Sequence, residues 1–236
     1  MSLFDAIDVP LGPSTYAESF AADTLLKMPA NALVNAGYVL VGAYWLWRAV
    51  KLRERADRDY FIAFALLAIA YGPIQFTRIV TQARWAGILD QWITLPFFAL
   101  ALSWNLKVQG RRAYPAQIVL ASISSYLLAA FIPHGFELVL GVHIAVVLAA
   151  SLPTLSASRA WAPFTLAVIS CVMFVALKKA DFALAELGMT RFTGHFWSKV
   201  GDFLQIHFTA LFFLRAQPQS ARTSLERSAR ESVSRA

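Results

Sequence analysis

Seven stretches of the chain stay apolar over lengths that can cross a bilayer: 28–49, 60–80, 87–106, 114–132, 137–153, 161–178 and 194–214. Short segments carrying Arg, Lys, Pro and Gly separate them. This pattern predicts an all-α integral membrane bundle of seven transmembrane helices, forming one domain over residues 28–214. Residues 1–27 carry Asp5, Asp8, Glu18 and Asp23, and read as an extracytoplasmic N-terminal segment. They show neither the basic start nor the apolar run of a cleaved signal peptide. Residues 215–236 are rich in Ser and Arg without apolar periodicity, and read as a disordered basic cytoplasmic tail.

Composition agrees with the pattern. The chain is 58% hydrophobic and 15% charged, with a mean hydropathy of +0.55, which excludes an ordinary soluble domain. The basic residues set the expected orientation. With the N-terminus outside, the cytoplasmic side receives Arg48, Lys51, Arg53, Arg55, Arg58, Lys107, Arg111, Arg112, Arg159 and the five tail arginines, fourteen of the 21 Lys and Arg. The net charge of +7 lies mostly in those loops and that tail. The partners it implies are membrane lipids and their anionic headgroups, not nucleic acid. Cys171 is the single cysteine, so no internal disulfide can form. The expected location is a multi-pass integral membrane protein of the plasma membrane, or of the inner membrane in a bacterium.

With that topology the intramembrane polar groups collect at one depth. Asn31 and Asn35 lie at the outer end of the first span, and Gln75, Thr77, Arg78, Thr81 and Gln82 at that of the second. The third begins with Asp90, Gln91 and Thr94, and the fifth with Glu137 and His143. The sixth ends at Lys178, Lys179 and Asp181. The seventh begins with His195, Lys199 and Asp202, whose i, i+4, i+7 spacing puts them on one helical stripe. Ionisable groups in a membrane are costly and normally face a protein interior or a wet cavity. Six of the seven stretches thus point to a single outward-facing pocket. Its candidate ligand-binding residues are Asp90, Lys199, His195, Asp202, Asn31, Asn35, Gln75, Arg78, Glu137 and His143. Each also has a plainer reading. The two asparagines can act as interhelical glue, Arg78 and Arg84 can snorkel to the interface, and His143 and His207 can be packing residues. Asp90 needs a basic partner at that depth, from Lys199 or Arg78, and the expected central ion pair is Asp90 with Lys199.

Several strings resemble the transmembrane protein 187 family: Tyr16-Ala-Glu18, Met28-Pro-Ala-Asn31-Ala-Leu-Val-Asn35 and Tyr71-Gly-Pro73-Ile-Gln75. To these are added Leu89-Asp-Gln-Trp-Ile-Thr-Leu-Pro96, Gly135-Phe-Glu137 through His143, and Thr193-Gly-His-Phe-Trp-Ser-Lys-Val200. They run in order through most of residues 16–210. This resemblance implies membership and a multi-span fold, and lends no activity.

A more distant likeness is to the heptahelical superfamily of alkaline ceramidases and progestin/adiponectin receptors. Glu18, Asn31, Asn35, Asp90 and His195 fall where that group carries a Glu, an Asn-x-x-x-Asn pair, an Asp and the first histidine of a His-x-x-x-His. The resemblance implies zinc and lipid amide or ester hydrolysis. Lys199, however, stands at the second histidine of the last span, and the second span offers Thr77 or Ile79 where a histidine is required. An ammonium opposes a divalent cation, so Lys199 reads as a replacement for the ion, and a site without cofactor or metal is expected. A third likeness is to microbial rhodopsins. Asp90-x-x-x-Thr94-x-Pro96 and Ser198-Lys199-Val200-Gly201 look like a counter-ion and a retinal-lysine region. The leading expectation is a pocket for a lipid or small amphiphile, built on Asp90, Lys199 and His195 without metal. The zinc hydrolase and the retinal protein are its alternatives.

Overall fold

The computed structural model describes residues 7–216 apart from Ala22, Leu25, Arg53, Glu54 and Arg159. The tail expected to be disordered therefore lies, beyond Ala216, outside the described residues, as does Asp5.

Every apolar stretch is helical. The elements are α1 (Pro29–Leu33), α2 (Ala36–Ala49), α3 (Arg55–Thr81), α4 (Arg84–Val108), α5 (Pro115–Ala129), α6 (Gly135–Ser158), α7 (Trp161–Lys179), α8 (Asp181–Glu186) and α9 (Gly194–Ala216). Four of them, α3 from Arg58, α4, α6 and α7, are long and apolar enough to cross a membrane, and α5 is a shorter apolar helix. The first stretch is not one helix. α1 stops at Leu33, and the chain turns through Val34 and Asn35 with short-range bonds from Gly37 N to Val34 O (3.0 Å) and Tyr38 N to Asn35 O (3.2 Å). Proline opens α1 and α5, where its missing N–H costs nothing.

α7 runs along α9, α2 along α3, and α4 is packed by α3, α5 and α6. Small residues allow the close approaches. A Cβ on Gly42 would sit 2.7 Å from Ala65 O, and one on Gly201 2.9 Å from Ser170 O. One end of the bundle is aromatic: Trp104 stacks on Phe213 with ring centroids 4.2 Å apart and meets Phe61 edge-on at 4.5 Å. The other end gathers the last turns of α3 and α7 and the first turns of α4, α6 and α9, and it is polar.

The N-terminal segment closes over that polar end, which hydropathy alone gave no reason to expect. Arg78 Nη2 donates to Pro10 O (3.1 Å) and Gln91 Nε2 to Asp8 O (3.1 Å), while Arg84 donates to Ile7 O. Ile7 and Val9 are buried in an apolar cluster with Leu95, Tyr126 and Val139. Glu18 then takes both N–H groups of the first turn of α1, from Ala30 and Asn31, at 2.8 Å each. It satisfies two donors that a helix start leaves open. Burial pushes the Glu18 carboxyl pKa above its usual value, against the pull of those two N–H bonds.

Candidate functional site

The polar end encloses a cavity of about 330 Å³. Seven of the ten residues expected from the sequence line it: Gln75, Arg78, Asp90, Glu137, His195, Lys199 and Asp202. They arrive from four helices because α3 ends where α4, α6 and α9 begin.

The ionic partner of Asp90 is Arg78, which corrects the expected pairing with Lys199. Asp90 receives Arg78 Nη1 on one carboxylate oxygen and Gln75 Nε2 on the other. Gln75 in turn accepts from Lys199 Nζ on its Oε1, at 2.7 Å. Arg78, Asp90, Gln75 and Lys199 thus form one continuous chain. Its chemistry fixes the amide of Gln75, since only the NH₂ can face a carboxylate and only the oxygen an ammonium. The helical rotation explains the correction. Arg78 follows Gln75 by three residues and shares its face of α3, so both reach Asp90 across the α3–α4 turn. Lys199 comes from the far wall and stops at Gln75.

Around this chain, Thr94 Oγ1 donates to Asp90 O (2.8 Å) and pairs with the Tyr71 hydroxyl (3.2 Å). The Lys199 ammonium lies 5.9 Å from the Tyr71 ring centroid. Asp202 accepts the hydroxyl of fully buried Tyr38 at 2.5 Å. His195 is 5% exposed; its ring packs against Tyr16 edge-to-face at 4.7 Å, and its Nε2 has no hydrogen-bond partner. Tyr16 is held above the cavity, where burial pushes its hydroxyl pKa up.

His195 is placed by Asp181. That carboxylate, only 3% exposed, accepts His195 N at 2.5 Å on Oδ1 and Ala17 N at 2.8 Å on Oδ2. One side chain thereby caps the start of α9 and ties the N-terminal segment to it. Gly194 is required beside it, because a Cβ there would lie 2.4 Å from Leu177 O and 2.8 Å from Asp181 Cα.

Three expected residues do not line the cavity. Asn35 turns back on its own helix, donating to Asn31 O (2.8 Å) and Ala32 O (3.2 Å). Asn31 is fully buried with neither polar side-chain atom partnered. His143 bridges Val139 O and Ser122 Oγ at 2.8 Å each, joining α6 to α5. Its plainer reading is the structural one. His143→Ala is therefore expected to lower stability by about 1 kcal/mol while leaving any ligand-induced stabilisation unchanged, as thermal unfolding with and without ligand would report. His207 lies among Tyr44, Trp45 and Phe208, a packing position. The charge pattern gave no sign of Tyr16, Tyr38 or Tyr71. The Tyr16-Ala-Glu18 and Tyr71-Gly-Pro73-Ile-Gln75 strings drew attention to the first and the last, without giving either a role.

Among the described residues no three His, Cys, Asp or Glu side chains come together as metal ligands. Four cationic side chains, Arg78, Lys178, Lys179 and Lys199, line the cavity with His195 and oppose a divalent cation there.

The profile of the TMEM187 protein family matches residues 1–214. Transmembrane protein 187 of Homo sapiens is 42% identical over 220 residues, covering 89% of this chain and 83% of the human protein. Transmembrane protein 187 of Bos taurus is 40% identical over 225 residues, covering 89% and 87%. No solved structure gives a significant match.

Proposed function

Since the chain belongs to the TMEM187 protein family and is an integral membrane protein with several apolar helices, we propose that it binds a lipid or small amphiphile in the polar cavity. The helices cross the membrane seven times with the N-terminus outside, so that the cavity lies in the outer half of the bilayer under the N-terminal segment. The basic residues of the loops support that orientation.

One observation carries the reading. A cavity of about 330 Å³ is walled by the Arg78–Asp90–Gln75–Lys199 chain and by a buried histidine whose Nε2 lacks a partner. Burying ions and an open imidazole nitrogen costs several kcal/mol unless something compensates them. A structural ion pair would have been closed by packing; here the polar groups surround space. Lys199 and His195 are the groups that contact the ligand, Gln75 orients Lys199, and Arg78 holds Asp90. The reading needs no metal, and among the described residues no three His, Cys, Asp or Glu side chains come together as ligands. The rhodopsin-like arrangement finds less support, since the Lys199 amine meets the amide of Gln75 where that reading needs a carboxylate.

The test is thermal unfolding of the purified full chain against oleate, lysophosphatidylcholine, sphingosine and cholesterol. At a hundredfold excess over Kd a true ligand adds about 2.7 kcal/mol of stability. At least one of the four is expected to do so for the wild type and not for Lys199→Ala with His195→Ala. Equal responses of wild type and double variant to all four would contradict the reading.

A further inference from the structure

The polar cavity does not end at its polar wall. Phe98, Ile144, Cys171 and Gln205 line it and also line a second pocket of about 160 Å³. That second pocket is almost wholly apolar, floored by α4 and α9 and flanked by α6 and α7. Its flanks are separate bodies: α6 packs on α4 and α7 on α9, while α6 and α7, consecutive in the chain, do not pack along one another. The rim residues Leu148 of α6 and Val172 of α7 are 37% and 61% exposed. The cleft between the two helices therefore leads from the lipid-facing surface to the polar cavity.

We propose that this cleft is a lateral entrance for a single-chain amphiphile with an anionic head, the chain lying between α6 and α7 and the head against Lys199 and His195. The proposal rests on the amphiphile reading above and names the ligand's class. Charge gives the head its sign. Asp90 is already held by Arg78 and Gln75, and Asp202 by Tyr38. Among the described residues Lys199 has no carboxylate within ion-pair distance, and its hydrogen-bond partner is the neutral oxygen of Gln75. Lys178 and Lys179 stand at the same cavity, with Glu137 as the one opposing acid not otherwise engaged. A carboxylate or phosphate monoester would accept from Lys199 and, in the tautomer that protonates Nε2, from His195, using a buried nitrogen that has no partner among the described residues.

Dimensions give the chain its number and length. A pocket of about 160 Å³ leaves room for one acyl chain at most. From Lys199 to Phe212 along α9 is 13 residues, or about 20 Å at 1.5 Å per residue. One leaflet of a hydrocarbon core of about 30 Å gives acyl chains of about 15 Å, so a membrane fatty acid fits between the two ends.

Oleate, oleyl alcohol and oleylamine share one chain and differ only in head charge. Binding of each, radiolabelled, to the full chain in phosphatidylcholine nanodiscs separates the parts of the proposal. Oleate is expected to bind saturably, about tenfold or more tighter than oleyl alcohol, a difference typical of a charged hydrogen bond, and oleylamine not at all. Lys199→Gln removes the oleate advantage, so that oleate binds no more tightly than oleyl alcohol. Ala167→Trp, which fills the cleft away from the charges, weakens both. In the wild type, an oleate analogue with a diazirine at its methyl end labels α6 or α7 between Ile144 and Val172. Tighter binding of oleylamine than of oleate would overturn the anionic head while leaving the amphiphile reading intact. Labelling elsewhere, with Ala167→Trp binding normally, would overturn the entrance. Saturable binding of none of the three, together with no stabilisation by any amphiphile, would overturn the parent reading itself.

Discussion

Replacing Arg78 by methionine is expected to destabilise the folded protein by about 3–5 kcal/mol, the cost of leaving a buried carboxylate without its ion-pair partner. Asp90 is 5% exposed and faces Arg78 on one oxygen and Gln75 on the other. An amide cannot replace a guanidinium as counter-charge, and Lys199 is held away from Asp90 by the same glutamine. Arg78 also donates to Pro10 O, so its loss frees the N-terminal segment as well. Adding Asp90→Asn removes the stranded charge, and the double variant is expected to regain most of the loss. Lys199→Ala, by contrast, leaves the Asp90–Arg78 pair intact, so its stability cost is expected to be smaller than that of Arg78→Met. Reversible unfolding of the four proteins in one detergent gives the cycle; additive losses for Arg78→Met and Asp90→Asn would show that the two do not form a working pair.

The second large effect is expected at Asp181. Asp181→Ala strands the buried donor His195 N, at about 1–3 kcal/mol, and the half-buried donor Ala17 N at a smaller cost. The two costs belong to one event, since both bonds pin the N-terminal segment to the start of α9. The consequence reaches the cavity, because Tyr16 and His195 keep their edge-to-face contact only while both backbones are held. Asp181→Asn retains one acceptor and is expected to lose about half as much. Limited proteolysis reports the difference directly: in Asp181→Ala the segment before Pro29 becomes cleavable under conditions where the wild type resists. Equal resistance in both would show that the segment is held elsewhere.

Much of this arrangement was legible in the sequence because lipid imposes a simple rule. A backbone crossing hydrocarbon must satisfy its own hydrogen bonds, so apolar stretches become helical. Each stretch is helical here, though the first breaks into α1 and α2, and four helices are long and apolar enough to cross a membrane. Depth was legible too. Antiparallel helices bring the end of one to the start of the next, which put Gln75, Arg78, Asp90, His195 and Lys199 at one level before any contact was known. What hydropathy does not carry is azimuth. Lys199 and Arg78 line the same cavity, and only the rotation of α3 about its axis decides that Arg78 takes Asp90. The same gap hid His143, which lies at the right depth but turns toward Ser122 on α5. It also hid Asn35, whose side chain closes on its own helix at the α1–α2 break. The N-terminal segment was the largest omission. It has no period to read, and its hold on the bundle runs mainly through backbone carbonyls such as Pro10 O and Asp8 O, which any residue type supplies. The cavity tyrosines Tyr16 and Tyr71 stood in strings shared with the family, but aromatic residues are common at membrane interfaces and their type alone gave them no role.

The central claim is that this polar intramembrane cavity holds an amphiphile without a metal. Native mass spectrometry of the full chain, purified in mild detergent and released intact, weighs both possibilities at once. The expected spectrum shows one lipid-sized adduct per chain and no zinc, with the adduct lost in Lys199→Gln. A chain that carries stoichiometric zinc, or whose adducts are the same in wild type and Lys199→Gln, would contradict it.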